Sequence, residues 1–379
     1  MSATTCPTAR SQAAPGSFPD PATEEAAGQT RGFHDPMTDT QPNPSTPVAA
    51  PPPGPVVVLR ARFPMASRIA ERIVLGIGLL LASSILIFAG IEVLPGDFAT
   101  TYLGQAATPQ AIANLSAEFG LDRPLVTRYF EWLVNILHGD FGNSWASGQS
   151  VSGQIADRLG NSMLLAGAAA VIAVPLAVGL GLIAVLYRDR LMDRLINLVS
   201  LAAVSLPEFF VAYLLIMVFV VQHPVAAFPA TVYDSMSLWE KLQTIILPVA
   251  TLVLVVLAHM MRMTRAAIIN VMSSAYMETA ELKGIGALRA IVKHAAPNAL
   301  APIINVVALN LAYLIVGVVV VEVVFVYPGM GQYMVDAVTV RDLPVVQGCG
   351  LIFSAIYILL NMVADILSIL VNPRLRHPR

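Results

Sequence analysis

Apolar positions in this chain do not alternate as in a half-buried strand, nor recur every three or four residues over a whole element. They gather instead into unbroken runs. Six runs stand out, at Ile73–Val93, Ser162–Tyr187, Leu195–Val221, Leu242–Met261, Ala299–Val321 and Val346–Val371. Each is long enough to cross a bilayer, whose hydrocarbon is ~30 Å thick and takes about 20 helical residues to span. Backbone in lipid must satisfy its own hydrogen bonds, so the runs are expected to be helices. Pro207 and Pro248 fall inside two of them, which membrane helices tolerate where neighbours or water satisfy the freed carbonyl. The pattern therefore predicts an all-α, polytopic membrane protein with six transmembrane helices.

Polar segments between the runs set the expected orientation. Arg60, Arg62, Arg68 and Arg72 precede the first run; Arg188, Arg190 and Arg194 join the second and third; Arg262, Arg265, Lys283, Arg289 and Lys293 join the fourth and fifth; Arg374, Arg376 and Arg379 follow the last. All four groups fall on one side, and the other carries only Arg123, Arg128, Arg158, Lys241 and Arg341. Basic connections stay in the cytoplasm, which predicts that both termini are cytoplasmic. On the outer side, a long loop over about 94–160 contains Thr108 and Pro109, an N-cap followed by a favoured first helical residue. Leu125, Tyr129, Trp132, Leu133 and Ile136 then recur at helical spacing, so short amphipathic helices over the outer mouth are expected.

Residues 1–66 break the pattern: rich in Pro, Ala, Ser and Thr, they lack the periodicity needed to offset chain entropy and read as a disordered cytoplasmic tail ahead of a membrane domain over 67–377. No basic n-region and short apolar run of a secretory signal opens the chain, and Met37 and Met65 are alternative starts. Composition agrees with the run pattern, since 56% of the 379 residues are hydrophobic and 12% charged. A net charge of −2 gives no reason to expect nucleic-acid binding, and membrane lipid is the expected surroundings. Two cysteines, Cys6 and Cys349, cannot form a disulfide framework.

Candidate chemistry is sparse. Six histidines lie scattered, without H-E-x-x-H or paired-cysteine spacing, so no metal site is expected. No G-x-S-x-G signature appears. The three lysines follow Glu240, Leu282 and Val292, so the G-K-[ST] core of a nucleotide-binding P-loop is absent. Polar residues inside a membrane point to the interior or a pathway. Glu208, Asn305, Asn310, Tyr313 and Glu322 are candidates for a translocation path, with Asn361 and Asp365 beside them; interhelical hydrogen bonding is the plainer account of at least half.

One polar stretch, "ETAELKGIG" from Glu278 to Gly286, lies between the fourth and fifth runs, within a cytoplasmic loop over about 262–298. Helix-favouring residues lead up to Gly284, which is placed to end a helix in the left-handed conformation; Gly286 is expected to keep the turn tight. A second short helix is expected to follow, with Ala287, Leu288, Ile291, Val292 and Ala295 as an apolar stripe. Periodicity leaves two readings open: a connector packed on the chain's own helices, or an element docking into a partner's groove.

Glu278-Thr279-Ala280, three residues, Gly284, nine residues and then His294-Ala295-Ala296-Pro297 resemble the cytoplasmic "EAA" loop of ABC importer permeases, with departures at Thr279, His294 and Ala296. Further motifs narrow the resemblance to the peptide/nickel branch, in order and spacing over about 68–377. They are Leu94–Asp97, Phe119–Pro124, Gly139–Gly142, Ser205–Phe210, Lys293–Pro302, Val321–Gly331, Arg341–Gly348 and Asn372–Arg376. The resemblance implies a multi-pass protein of the bacterial inner membrane working with a second, homologous permease, two ABC ATPase subunits and an extracytoplasmic solute-binding protein. ATP would be used by the partner subunits, with no cofactor in this chain. It also implies that Glu278, Thr279, Ala280, Gly284, Gly286, Leu288, Ile291 and Pro297 shape the ATPase-coupling element, and that Glu322 serves an outer gate or anchors the loop after it. An ion-gradient-driven secondary transporter is the alternative; it would call for paired ionisable groups and an internal repeat, neither of which is evident.

Overall fold

The computed structural model describes residues 64–93, 98–224, 226–233 and 235–371. Most of the tail, together with Leu94–Asp97 and Asn372–Arg376, lies outside these. All extended regular elements among the described residues are helices: α1 (Pro64–Val93), α2 (Phe98–Leu103), α3 (Pro109–Glu118), α4 (Leu125–Leu137), α5 (Val151–Leu186), α6 (Leu191–Val204), α7 (Glu208–Gln222), α8 (Leu238–Thr244), α9 (Ile246–Met272), α10 (Ala275–Leu282), α11 (Ala287–Phe325), α12 (Met330–Val340) and α13 (Leu343–Val371).

Five of these helices, α1, α5, α9, α11 and α13, are long and apolar enough to cross a membrane. The sixth expected span is not one helix. The segment expected to run straight from Leu195 to Val221 is the pair α6–α7, bent by 98°. The break falls at Ser205-Leu206-Pro207, and its cause is local: the proline ring disfavours helical geometry at Leu206, and Pro207 has no N–H to offer the preceding turn. Pro207 takes φ −61°, ψ 144° and leaves Glu208 as the first residue of α7.

Elsewhere the helices outrun the apolar runs that predicted them. The second span begins at Val151 rather than Ser162, and the fourth continues to Met272 rather than ending at Met261. The separate short helix expected after Gly286 is continuous with the fifth span, through a π turn at Ala290–Ala295. The first helix begins at Pro64, ahead of the apolar run at Ile73.

The core is built where α9 packs against α5 and α11. Small residues on α5, namely Ala169, Ala173, Ala177 and Gly181, bring it close to Leu252, Val256 and Met260 of α9. A Cβ on Gly181 would press against Thr264 at 3.0 Å, so the helix backbones meet there without intervening side chains. Of the amphipathic helices expected over the long loop, α3 is capped by Thr108, whose Oγ1 accepts from Ala111 N. Helix α4 packs on α1: Phe88 meets Tyr129 edge-on at 5.4 Å, and Ser84 and Tyr129 share a 2.9 Å hydrogen bond.

Candidate functional site

The bend between α6 and α7 opens a cavity of about 580 Å³, walled by Ala203–Glu208, by Val255, Val256, His259 and Met263 of α9, and by Leu309, Asn310 and Tyr313 of α11. His259 and Asn310 stand midway along their helices, so the space lies near the middle of the bundle. It gathers Glu208, Asn310 and Tyr313 from the path residues picked out in the sequence. Asn305 is half-buried on another face of α11 and does not line it. His259 was missed; its signal was a lone imidazole in an apolar span, passed over because it lacked metal-ligand spacing.

Glu208 enters this cavity without a hydrogen bond or ion pair among the described residues. Room for its carboxylate comes from α11: a Cβ built on Gly317 would stand 2.6 Å from Glu208 Oε1. Asn310 and Asn361 do not bond between helices as expected. Each donates Nδ2 to the carbonyl four residues back, at 2.7 Å to Val306 and 2.8 Å to Tyr357. Asp365 pairs with Arg72 of α1 at 2.9 Å.

Glu322 is fully buried and lines no cavity with these residues. Its Oε1 accepts Ser162 Oγ at 2.5 Å, and its Oε2 accepts Gly331 N at 2.7 Å and Gln332 N at 3.1 Å. Ser162 Oγ in turn accepts Met330 N at 2.8 Å. These amides are the free donors at the start of α12, so a carboxylate on α11 and a hydroxyl on α5 together cap a third helix. Gly329 and Gly331 are explained by space, because a Cβ on either would collide with that carboxylate. Asn161 Nδ2 donates to Pro328 O at 3.0 Å, and Tyr327 donates its hydroxyl to Asn161 O at 2.9 Å, closing the loop against α5. Burial, with Glu322 nearby, pushes the Tyr327 phenol up from its ordinary range.

At the basic end of the bundle, α10 stops as the sequence requires. Gly284 has φ +73°, Gly284 N donates to Glu281 O at 2.8 Å, and Ile285 N donates to Ala280 O at 3.2 Å. This is the Schellman arrangement, with Gly284 in the left-handed position. Gly286 differs from expectation: at φ −60°, ψ 145° it is the extended N-cap of α11, a conformation open to any residue.

The expected apolar stripe also divides in two. Ile291 and Ala295 are buried together with Met277, Ala290, Ala299 and Ile268, fastening the turn to α9 and to the body of α11. Leu288 and Val292 face outward, 62% and 54% exposed, and Leu282 is 85% exposed. Glu278 and Thr279 are exposed beside them, Ala280 is buried and Pro297 lies exposed further along α11. One face of the element is thus packed on the chain's own helices, as the connector reading expects, and the other is exposed.

A part-buried ion pair joins this end to the broken span. Arg265 on α9 donates Nε to Asp193 Oδ1 at 2.9 Å and a terminal nitrogen to Oδ2 at 2.7 Å, while Asp189 N and Asn197 Nδ2 also donate to Asp193. Arg265 was read only as a topology signal, and nothing in sequence links it to a residue 72 positions away.

The family model described as "binding-protein-dependent transport system inner membrane component" matches residues 177–377, and its N-terminal companion matches 65–166. A protein of Brucella abortus named as a peptide transport system permease is 35% identical over 317 residues, covering 83% of this chain and 100% of the relative. The glutathione transport system permease of Escherichia coli K12 is 36% identical over 313 residues, again 83% of this chain and 100% of the relative.

Proposed function

The chain belongs to the binding-protein-dependent transport system inner membrane components, and from that premise we propose how its parts divide the work. It is an inner-membrane permease of an ABC importer, an all-α polytopic protein from a family of membrane permeases rather than enzymes. In the proposed reading, the chain forms half of a translocation path together with a second, homologous permease. Two ABC ATPase subunits act on its basic end, taken as cytoplasmic with both termini, and an extracytoplasmic binding protein delivers the solute. The ATP would be hydrolysed by those partners, since this sequence has no G-K-[ST] core, and no cofactor is proposed for this chain. The solute is proposed to be a peptide or a peptide-like molecule, as the relatives' names suggest.

The observation that carries this reading is the two-faced turn. Its outer face, with Leu282, Leu288 and Val292 among Glu278, Glu281, Arg289 and Lys293, suits a partner's groove. Its inner face, with Met277 and Ile291, is packed into α9 and α11, the helices that wall the cavity. A displacement of the turn by an ATPase therefore has a rigid route to the cavity. For ATP to drive alternating access, the ATPases must bind the two permease states unequally, because a partner with equal affinity for both shifts nothing.

The test is uptake of a labelled dipeptide into proteoliposomes holding the full transporter, with ATP and binding protein supplied. ATP-dependent uptake that survives collapse of the proton gradient is expected. Uptake without ATP that stops when the gradient collapses would instead indicate a secondary transporter.

A further inference from the structure

The Glu208 cavity has a chemistry that the path reading alone does not use. Its lining holds one carboxylate and one imidazole, with no lysine or arginine. A carboxylate in a low-dielectric interior is costly, and an intramembrane acid without an internal partner either takes a proton or meets a cation that comes from outside. Gly317 leaves the niche that the carboxylate occupies, and any larger residue there would put a carbon on Oε1. A volume of about 580 Å³ is that of a small-molecule site.

We propose that Glu208, in the niche opened by Gly317, receives the primary ammonium group of the transported solute. This deepens, and rests on, the peptide-importer reading: every unmodified peptide that does not begin with proline carries such a group. A divalent metal is a poorer fit, because no cluster of three or more His, Cys, Asp or Glu side chains exists among the described residues. An ammonium needs only one carboxylate and completes its three donors on neutral acceptors. Tyr313 and Asn310 line the same space and supply such oxygens.

The experiment compares ATP-driven uptake of dialanine and N-acetyl-dialanine by the full transporter in proteoliposomes, for wild type, Glu208→Gln and Gly317→Ala. The same binding protein serves all three, so its own preference cancels when ratios are compared. Wild type is expected to favour the free amine, and Glu208→Gln to lower that ratio about tenfold, the usual loss when a hydrogen bond to a charged partner is neutralised. Gly317→Ala keeps the charge but fills the niche, and is expected to lower the ratio in the same direction. An unchanged ratio in both variants, or equal loss of both peptides, as removal of a proton site would cause, overturns the ammonium assignment. Uptake of neither peptide by the wild type overturns the peptide reading beneath it.

Discussion

Arg265 grips Asp193 with two parallel hydrogen bonds, of 2.9 and 2.7 Å, across the contact between α9 and α6. The pair is largely buried, with side-chain exposures of 22% and 5%. It stands on the helix that leads to the Gly284 turn and near the start of the one that bends at the cavity. Removing one partner leaves a part-buried charge without its counter-ion, at a cost of about 1–3 kcal/mol. Arg265→Ala should therefore lower the thermal midpoint of the purified protein sharply, and Arg265→Lys, which cannot form the two-pronged contact, should fall in between. Adding Asp193→Ala to Arg265→Ala should cost less than the sum of the single changes, and additive losses in the double-mutant cycle would show that the pair is not coupled.

Gly284 and Gly286 look alike in sequence but are held by different constraints. Gly284 sits at φ +73°, where a β-branched residue costs about 1–2 kcal/mol or more. A Cβ there would meet nothing within 4 Å, so the penalty is conformational and not a clash. Gly284→Val is expected to disturb the turn and reduce solute-stimulated ATPase activity in the reconstituted complex while membrane insertion is unchanged, with Gly284→Asn closer to wild type. Gly286→Ala, in extended backbone with open space, should be close to silent. Equal effects at the two positions would remove the argument.

Glu322 and Ser162 hold the loop from Tyr327 to Gly331 by a shared network. Glu322→Ala strands two amide donors and a hydroxyl in a buried site, at a cost of about 1–3 kcal/mol for each group left unpaired. A lower thermal midpoint is expected, along with faster thiol labelling of a cysteine placed at Gln332. Ser162→Ala removes one donor and one acceptor and should be milder. Unchanged labelling in Glu322→Ala would mean that the loop is held by Asn161 and Tyr327 alone.

The sequence announced the spans well because lipid demands apolar length, a signal carried by every residue of a run. It announced the stop at Gly284 because left-handed backbone has few occupants. The bend at Pro207 was harder to foresee, since the run from Leu195 to Val221 is apolar and long enough overall to be one span, and composition does not register direction. The expected stripe from Ala287 to Ala295 failed for a related reason: a π turn shifts the register, so Ile291 points inward while Leu288 and Val292 do not. The pairing of Asp193 with Arg265, and the niche at Gly317 for Glu208, are tertiary facts between residues far apart in the chain.

The division of the turn into two faces gives a sharp contrast between neighbouring apolar residues. Ile291 is 3% exposed and packs with Met277 and Ala295, so Ile291→Ala should cost about 2–4 kcal/mol of stability. Leu282 is 85% exposed, so Leu282→Ala should change stability by no more than about 0.5 kcal/mol. If the outward face docks the ATPase, the ranking reverses in a binding assay: Leu282→Asp with Leu288→Asp should release the ATPase subunits on size-exclusion chromatography of the solubilised complex, while the isolated permease melts as before. Retention of the ATPases by that double variant would place their contact elsewhere on the basic end.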